Sequence, residues 1–525
     1  MDTKALRQKI LDLAIRGKLV PQDPNDEPAS ALLERIRDQK QQMVKEGKIK
    51  KKDIKNDSVI FVGEDNLHYE KFADGSVKCI EDEIPFELPE GWSWTRIFSI
   101  TEDLPYGTAK KSLPTGLVAV LRMGNIQSGE IDYSDLVYSS DGDDIVKYTL
   151  IKNDLLFNRT NSAEWVGKTA IYRGNMPAIY AGYLIRIRTF INAEYLNVVM
   201  NSGYAKSYCN SVKTDGVNQS NINAQKLGNF LVPIPSFGEQ YRISSSIADI
   251  LPRISIIQDE KDYITDLIQK TKSKILDLAI RGQLVPQNPD DEPASALLER
   301  IRAEKKELIK QGKIKRDKKE SIIFKGEDNS YYEKIGKTNK CIDSEIPFEI
   351  PNSWLWCRLE SIGNWQTGST PSRRNDKYYG GSIPWIKTGD LNNGYIIDIP
   401  EYITEKALNE TAVKLIPAGT VLIAMYGATI GKVGITTCEA TTNQACCACC
   451  NPYGVLPEYL FYYLQSQKEN FINMAEGGAQ PNISKEKIVA TLIPIPPYEK
   501  QAQIVSIIKI FNNHIESIEK GAVGK

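Results

Sequence analysis

The sequence predicts an α+β fold in which two mixed α/β domains are separated by long antiparallel coiled-coil helices. Three observations lead to this prediction. Residues 9–37 and 274–302 differ at only three positions, and their constant offset of 265 identifies a tandem repeat of one unit. Apolar residues recur at heptad spacing after each Pro-Ile-Pro segment. Strand signals fill the two regions in which the copies diverge. A pseudo-twofold molecule is therefore expected.

Short markers set the boundaries of the expected domains. Glu-Ile-Pro-Phe-Glu occurs at 83–87 and 345–349, and a Val/Ile-Pro-Ile-Pro segment occurs at 232–235 and 493–496. The residues between these markers diverge strongly, whereas the flanking segments do not. The predicted organisation is a conserved region at 1–82, a variable domain at 83–236, a second conserved region at 237–344, a second variable domain at 345–497 and a C-terminal helix at 498–525.

The helices are predicted from apolar residues spaced alternately by four and three, which is the a/d seam of a coiled coil. The seam occurs once in each copy, at Ile243, Ile247, Ile250, Ile254 and Ile257, and at Ile504, Ile508, Phe511, Ile515 and Ile518. Pro252 lies inside the first run, and it should kink the helix or split it in two.

When the two copies are aligned, Lys525 is equivalent to Ile264 and Met1 is equivalent to Asp266. The sequence is thus a nearly closed circle of two units, a circularly permuted tandem repeat that opens inside one long helix. The equivalent helix, at about 239–281, is intact. Its length of roughly 40 residues predicts a rod of ~60 Å, paired with a second rod assembled from the two termini.

A shorter helix is expected in each copy after Asp26-Glu27-Pro28, because proline is favoured in the first turn of a helix. Its apolar stripe is a candidate docking surface for a partner, formed by Leu32, Leu33 and Ile36 in one copy and by Leu297, Leu298 and Ile301 in the other. Basic residues follow each helix, including Lys45–Lys55 and Lys310–Lys319. They fit a solvated helix end as well as a patch that contacts phosphate or a partner.

Composition excludes several classes of protein. The formal net charge of −1 produces no global field that would attract nucleic acid, although it permits a DNA-reading part of a larger assembly. The N-terminus lacks the apolar run of a signal peptide, and no stretch is long and apolar enough to span a membrane. Nine mostly scattered cysteines suggest reduced thiols. We expect a soluble cytoplasmic protein with no membrane partner.

The variable domains contain matched strands that run into polar loops. Leu155–Arg159 matches Val421–Tyr426, and a turn at 125–131 matches one at 390–397. The loops carry Arg, Lys, Asn and Gln, which read base edges but also occur in ordinary turns. The candidate DNA-binding residues are Lys110, Lys111, Arg122, Asn125, Arg159, Asn161, Lys168, Asn218, Gln219, Asn221, Arg373, Arg374, Lys387, Asn392, Asn393, Tyr426, Thr429, Lys432, Gln480 and Asn482.

Catalytic motifs are not found. Pro496-Pro497-Tyr498 lacks the acceptor residue of an amino-methyltransferase, and the Gly427–Lys432 segment is one residue too short for a phosphate loop and lacks its Ser/Thr. The cysteines in 446–450 lack the spacing of a zinc site, so a buried strand of small residues is the favoured interpretation. With only two histidines in the sequence, general-base catalysis of the common kind is not expected.

The segment Leu-Val-Pro-Gln-(Asp/Asn)-Pro-(Asn/Asp)-Asp-Glu-Pro-Ala-Ser-x-Leu-Leu-Glu-Arg-Ile-Arg resembles the conserved region of type I restriction-modification specificity subunits. The Trp385–Leu391 motif and the Ile-Pro-Ile-Pro edge strengthen the resemblance, which covers essentially the whole chain. It implies that each variable domain is a target recognition domain reading half of a split, asymmetric DNA sequence. The long helices would then set the distance between the two half-sites. The conserved regions and the C-terminal helix, together called the frame, would dock two methyltransferase subunits and the nuclease-translocase subunits.

The resemblance also implies a non-catalytic subunit without its own cofactor, because S-adenosylmethionine, ATP and Mg²⁺ are expected on the partner subunits. The first variable domain departs from the pattern, since Leu121–Asn125 stands where the second has Ile386–Asp390. Two alternatives are a self-contained modification enzyme and a coiled-coil scaffold that binds no DNA. The first would need a cofactor loop and an acceptor motif, and the second would not need two divergent domains with Arg, Asn and Gln loops.

Overall fold

The computed structural model describes residues 2–162, 164–215, 220–312, 321–478 and 480–523. The chain divides into two compact units, Met1–Glu260 and Lys261–Lys525. Each unit mixes helices with several small sheets, and most elements recur in the same order in the two units. The predicted α+β class and the tandem repeat are confirmed.

The first unit begins and ends in helices and contains sixteen described strands. Its helices are α1 (Thr3–Ile15), α2 (Ala29–Lys45), α3 (Gly142–Tyr148), α4 (Ala193–Met200), α5 (Gly203–Val212), α6 (Ala224–Gly228) and the first part of α7 (Phe237–Ile280). Its strands are β1 (Ser58–Val62), β2 (His68–Phe72), β3 (Val77–Cys79), β4 (Ser93–Arg96), β5 (Val118–Leu121), β6 (Ile126–Gln127), β7 (Glu130–Ile131), β8 (Val137–Ser139), β9 (Leu155–Asn158), β10 (Thr160–Asn161), β11 (Thr169–Ile171), β12 (Ala178–Tyr180), β13 (Leu184–Ile187), β14 (Thr214–Asp215), β15 (Ser220–Asn221) and β16 (Leu231–Ile234).

The second unit begins inside α7 and ends in the C-terminal helix. Its further helices are α8 (Ala294–Lys310), α9 (Glu405–Glu410), α10 (Pro457–Ser466), α11 (Lys468–Met474), α12 (Lys485–Val489) and α13 (Tyr498–Val523). Its strands are β17 (Ser321–Lys325), β18 (Tyr331–Ile335), β19 (Thr338–Cys341), β20 (Leu355–Arg358), β21 (Asn364–Thr367), β22 (Tyr379–Ile386), β23 (Gly394–Ile396), β24 (Tyr402–Ile403), β25 (Val421–Ala424), β26 (Val433–Thr436), β27 (Thr441–Thr442), β28 (Cys446–Cys450) and β29 (Leu492–Ile495).

A five-stranded sheet forms the centre of each variable domain. The strand order is β13-β9-β11-β7-β6 in the first unit and β21-β28-β25-β26-β23 in the second. Four strands correspond, β13-β9-β11-β7 with β28-β25-β26-β23, and each sheet has one extra edge strand on the opposite side. All residues of β9 and β25 are buried, so the matched core strands predicted at 155–159 and 421–426 are confirmed.

The cysteine-rich segment 446–450 is the buried strand β28, as predicted. It pairs with β25 on one side and β21 on the other, and Cys446, Cys447 and Cys449 are 0% exposed. Burial raises the pKa of the Cys447 thiol to about 12, so it stays protonated near neutral pH. These thiols therefore pack as small apolar groups.

The two ends of each variable domain pair with one another in a two-stranded antiparallel sheet. In the first unit β4 pairs with β16, placing Trp94 opposite Pro233; in the second β20 pairs with β29, placing Trp356 opposite Pro494. The paired tryptophans are almost completely buried. A tyrosine secures each exit strand, because the Tyr195 hydroxyl donates to the Pro233 carbonyl. Tyr459 does the same for Pro494.

Each conserved region also contains a three-stranded antiparallel sheet that the sequence analysis missed. The sheet is β1-β2-β3 in the first unit and β17-β18-β19 in the second. Asn66 and Asn329 adopt left-handed φ values of 64° and 63° in the first turn of each sheet. A sequence signal was present, since the β-branched and aromatic run at 58–62 is followed by Gly-Glu-Asp-Asn.

Helix α7 continues through Pro252, so this residue does not split the helix, and the alternative of a kink stays a prediction. A proline leaves the carbonyl of the residue four positions earlier without its helical donor. Pro252 and Ala248 are both exposed, so water can hydrate that carbonyl.

An antiparallel helix pair is present within each unit. In the first, the Thr3 hydroxyl donates to Gln258, and Leu11 shares an apolar cluster with Ile247. In the second, Lys272 Nζ lies 2.9 Å from Glu519 Oε1, and Ile275 shares a cluster with Ile508.

The predicted heptad seam is only partly buried. Ile243, Ile254 and Ile504 are buried, whereas Ile257 is 41% and Ile518 is 55% exposed. Most buried positions of α13 lie in its first half, where the helix packs against α10, and Ile515 further along is buried as well. The seam residues therefore contribute to the core of their unit as well as to the helix pair.

The frame helices α2 and α8 pack inward, which corrects the predicted docking stripe. Five of its six side chains are 3–7% exposed and belong to the cores of their own units, with only Leu33 half-buried. In the second unit the apolar stripe faces the variable domain, since Leu297 and Ile301 lie against Gly454 and share a cluster with Tyr453. A partner that contacts these helices would meet their other, charged faces.

The described residues contain no helix long and apolar enough to cross a membrane.

Two cationic side chains, Lys40 and Arg96, are buried where the conserved region meets the variable domain of the first unit. The Lys40 side chain is 1% exposed, and its ammonium lies 2.7 Å from Asp57 and donates to the Phe98 carbonyl. Burial raises the pKa of Asp57 to about 6 and lowers that of Lys40. Arg96 is bound in turn by Glu70 and Glu83, an arrangement that Arg358 repeats with Glu333 and Glu345.

Candidate nucleic-acid interface

A short ladder of strands at the edge of the first variable domain carries several predicted residues. Strand β10 pairs with β15, placing Thr160 opposite Asn221. Arg159 precedes this ladder; its Nη2 donates to Asn221 Oδ1 at 3.4 Å, and its guanidinium lies 4.7 Å from the Tyr106 ring centroid. A planar guanidinium held by an aromatic ring and an amide loses little freedom when it binds a base or a phosphate.

The second variable domain builds the same ladder from different side chains. Tyr426 pairs with Asn482, and the Gly427 amide donates to the Pro481 carbonyl at 2.8 Å. The amide of Ile222 donates to Arg159 in the first unit, and that of Ile483 donates to Met425 in the second. The polar positions before the two Pro-Ile-Pro segments are therefore structurally equivalent, as the sequence alignment predicted.

A lysine occupies the same position beside each ladder. The carbonyl of Lys168 accepts from the Asn158 amide at 2.8 Å, and that of Lys432 accepts from the Ala424 amide at 2.9 Å. A glycine with a left-handed φ precedes each lysine, at 91° for Gly167 and 76° for Gly431. Glycine adopts this conformation without steric cost, so both loops return to the sheet in the same way.

Charge separates the predicted residues into two groups. Four of the cations are neutralised by carboxylates: Lys110 lies 2.7 Å from Asp141, Arg122 lies 2.7 Å from Asp135, and Arg373 and Lys387 share Glu401. Hydrogen bonds from Lys387 and Arg373 lower the pKa of Glu401. Among the described residues, no carboxylate lies within 4.0 Å of the cationic groups of Arg159, Lys168 or Lys432. These three cations leave their loops positively charged.

The matched motifs at 121–125 and 386–390 form equivalent tight turns. The Arg122 amide donates to the Asn125 side chain at 2.8 Å, and the Lys387 amide donates to that of Asp390 at 2.7 Å. Asn125 is 3% exposed and uses its amide group to bind the carbonyls of Asp132 and Asp135. Its predicted role in DNA contact is therefore corrected: Asn125 holds the turn together, and Asp390 caps the equivalent turn.

The remaining predicted residues are distributed around the ladders. Asn161, with a φ of 93°, donates to Met123 Sδ, and Asn393, with a φ of 59°, accepts from the Val433 amide. Thr429 donates to the Tyr426 carbonyl. Asn218 and Gln219 lie outside the described residues. Exposed residues are Lys111, Arg374, Asn392 and Gln480.

Two aromatic residues of the first site escaped the sequence analysis. Tyr106 stacks with Arg159, and Trp165 lies beneath Lys168, whose Nζ is 3.7 Å from the indole ring centroid. Neither residue lies in a motif, and Tyr106 is far from Arg159 in the sequence.

The basic stretch after α2 is exposed at Lys48, Lys50, Lys51 and Lys52. This exposure fits a solvated helix end as well as a patch that contacts phosphate or a partner. Most of the counterpart of this stretch, at 313–320, lies outside the described residues.

Comparisons with known proteins give a consistent result. The profile of the "Type I restriction modification DNA specificity domain" matches residues 351–522. The EcoAI type I restriction enzyme specificity subunit of Escherichia coli is 30% identical over 569 aligned positions, covering 96% of this chain and 88% of the relative. The EcoEI specificity subunit of Escherichia coli is also 30% identical, covering 70% of this chain and 63% of the relative.

One solved structure shares the fold. It comes from work on complex assembly and conformational transition of the type I R-M system, and it aligns with a TM-score of 0.52 at 16% identity. The alignment covers 84% of this chain and 94% of the solved chain. The similarity to the EcoAI subunit, at 30% identity over nearly the full length of both chains, establishes the family. The chain belongs to the specificity subunits of type I restriction enzymes.

Proposed function

We propose that this chain is the non-catalytic subunit that gives a type I restriction-modification complex its DNA sequence specificity. Each variable domain reads one half of a bipartite, asymmetric target, and the long helices set the spacer between the halves. The single observation that carries the proposal is the repeated ladder site, in which both domains place a lysine at the same position, with no carboxylate of the described residues within 4.0 Å of its ammonium. S-adenosylmethionine, ATP and Mg²⁺ belong to the partner subunits in this proposal.

The ladder sites supply the two components that DNA recognition needs. A lysine free of local carboxylates can neutralise a phosphate, which contributes affinity for any sequence. The neighbouring side chains differ between the domains, because Thr160 and Asn161 of the first occupy the positions of Tyr426 and Gly427 in the second, and Arg159 occupies that of Met425. Side chains that differ on a common backbone are suited to reading different bases, because base-edge patterns distinguish sequences.

The frame is proposed to dock two methyltransferase subunits and the nuclease-translocase subunits. The competing hypothesis of a coiled-coil scaffold without DNA binding would leave the two ladder sites without a function. A mobility-shift assay with the target DNA, in the presence and absence of the methyltransferase subunits, distinguishes the two. A complex that assembles fully yet shows no preference for any duplex would favour the scaffold.

Exchange of one variable domain tests whether each domain determines its half-site independently of the other. Replacing residues 345–497 with the equivalent segment of a homologue should change one half of the methylated sequence and leave the other intact, since each ladder lies within its own unit. The methylome of a host that carries the chimaera measures both halves at once. Reciprocal exchange of residues 83–236 is the matched control. A simultaneous change of both half-sites in either chimaera would contradict the proposal.

The ladder lysines can be tested individually. A Lys432→Met substitution keeps the aliphatic chain but removes the charge. If Lys432 contacts a base, the loss should be about 1–3 kcal/mol at one base position. If it contacts a phosphate, binding to all sequences should weaken equally, and the slope of log K against log salt should become less negative by about one.

Lys406→Met is the control for this experiment, because Lys406 lies in the same unit but pairs with Glu410 on α9. Lys168→Met should have the same kind of effect on the other half-site. Binding titrations across a salt series, on the cognate duplex and on single-base variants, separate the two roles. Wild-type affinity and salt dependence in both ladder variants would remove the ladder from the DNA interface.

A further inference from the structure

A large groove in the second unit is not used by the proposed function. Its volume is about 1500 Å³, and it lies between residues 269–281 of α7 and the α10–α11 segment. Apolar side chains, including Leu276, Ile280, Phe348 and Ile508, line its floor. Its rim is polar and includes Ser273, Gln465 and Asn473.

The equivalent surface of the first unit is covered by a helix of the same chain. The repeat offset makes Leu11 and Arg16 of α1 equivalent to Leu276 and Arg281. Helix α5 packs against α1, and its Tyr204 ring contacts Phe86, the counterpart of Phe348, with 5.6 Å between ring centroids. Leu11 is consequently 1% exposed, whereas Leu276 remains only half-buried.

The second unit keeps some contacts of α5. Helix α11 follows α10 as α5 follows α4, and Lys487 Nζ donates to the carbonyl of Met474 at the end of α11, as Lys226 Nζ donates to that of Val212 at the end of α5. In the first unit, the Tyr204 hydroxyl donates to the Leu231 carbonyl at 2.9 Å. In the second, Tyr463 of α10 donates to the equivalent carbonyl, that of Leu492. Helix α11 lines the groove on the side of the variable domain with Lys468, Asn470 and Asn473. Because α11 has seven residues where α5 has ten, and Leu276 stays half-buried, part of the surface that α5 covers in the first unit remains open in the second.

The size of the groove fits one short helix. A ten-residue helix is about 15 Å long and about 10 Å across with its side chains, which corresponds to a cylinder of roughly 1200 Å³. This volume is close to that of the groove, and α5 itself has ten residues, Gly203–Val212. A small molecule would fill only part of the space, since ligand pockets usually measure about 300–1000 Å³.

The charges around the groove are largely neutralised by one another. Arg281 lies 2.5 Å from Asp277, Arg358 2.7 Å from Glu345, Lys487 2.5 Å from Glu476 and Lys509 3.3 Å from Glu458. Such pairing leaves no strong field of either sign to attract an anion or a cation. An occupant with an uncharged, partly apolar face suits this lining, and the face of α5 that meets α1 and Phe86 has that character.

We propose that this groove binds an amphipathic α-helix of about ten residues from a partner protein, with a tyrosine or phenylalanine placed as Tyr204 is in the first unit. Its identification with a helix of a restriction-modification partner rests on the proposed function. Helix binding itself does not, because it follows from the equivalence of the two frames. Aromatic anchors in apolar pockets dominate binding of this type.

The first test uses the helix that the structure already shows on this surface. The probe is a hydrocarbon-stapled, fluorescently labelled peptide of residues 202–213 with Cys209→Ser, because an unstapled peptide of this length is barely helical in water. Fluorescence anisotropy with the full chain should show saturable 1:1 binding. Ser273→Trp, which fills the groove, should weaken binding at least tenfold. Thr271→Trp, on the opposite face of α7, should not.

Equal binding to wild type and Ser273→Trp, or no saturable binding, would overturn the proposal, provided that thermal unfolding shows both variants to be folded. The second test concerns the complex. A photo-cross-linking phenylalanine analogue at position 273 should label one helical segment of a methyltransferase subunit, and the same analogue at position 271 should not. Labelling from both positions, or from neither, in a complex that still methylates its target would overturn the partner assignment and leave the DNA-specificity proposal intact.

Discussion

Replacing Asp57 with alanine is expected to destabilise the first unit by about 3–5 kcal/mol, since it leaves the Lys40 ammonium buried without its counter-charge. Lys40 is 1% exposed and retains only the Phe98 carbonyl as a partner in that variant. Amide exchange in α2 and β1, followed by mass spectrometry, measures the local opening free energy. A loss of this size corresponds to exchange faster by roughly two to three and a half orders of magnitude.

The double variant Lys40→Met/Asp57→Ala identifies the cause. Removing both charges eliminates the unpaired buried ion, so most of the lost stability should return. Asp38→Ala is the matched control, because Asp38 is an exposed acid on α2, the helix that carries Lys40. Its replacement should change stability by less than about 0.5 kcal/mol. A double variant as unstable as Asp57→Ala alone would show that packing, not charge pairing, accounts for the loss.

Lengthening the long helices is expected to lengthen the spacer of the DNA target. Duplicating residues 253–259 in α7 and 514–520 in α13 adds one heptad to each helix, about 10 Å of length, while keeping the phase of the apolar positions. This length corresponds to about three base-pair steps of ~3.4 Å. We expect the preferred spacer to grow by two or three base pairs while both half-sites stay the same.

Selection from a random-spacer library measures the new optimum directly. Affinity itself is a poor readout, because three base pairs also rotate one half-site by roughly a third of a turn about the duplex. A heptad in α7 alone is the control, and it should impair assembly, since the two helical segments would then differ in length. An unchanged optimum in the double insertion would refute the proposal that helix length sets the spacer.

The repeat made much of the architecture predictable from the sequence. Aligning the copies identified the paired strands β9 and β25, and burial of small residues explained the cysteine strand. The sheets β1–β3 and β17–β19 were not predicted, because their short strands follow helices whose apolar periodicity is the stronger signal. The sequence did not decide between a kink and a split at Pro252, because the cost of the freed carbonyl depends on whether water can reach it, and exposure is a tertiary property.

The candidate interface was less predictable for a different reason. Residue type identified Arg159, Lys168 and Lys432, but it also selected Lys110, Arg122, Arg373 and Lys387, which the fold neutralises with carboxylates. Those ion pairs join residues up to 31 positions apart, such as Lys110 and Asp141, so the sequence does not reveal them. The same holds for Tyr106, whose contact with Arg159 depends on the packing of distant loops.

The pairing of β4 with β16, and of β20 with β29, gives each variable domain an entrance and an exit that are neighbours in one sheet. Adjacent strands lie about 4.8 Å apart, so the chain leaves the frame and returns to it at almost the same point. The conserved regions therefore hold each variable domain through one pair of adjacent strands. A replacement domain needs only an equivalent strand pair and a compatible surface against the conserved helices. If the variable domains read the target as proposed, exchange of one whole domain can change one half-site while the rest of the subunit keeps its sequence.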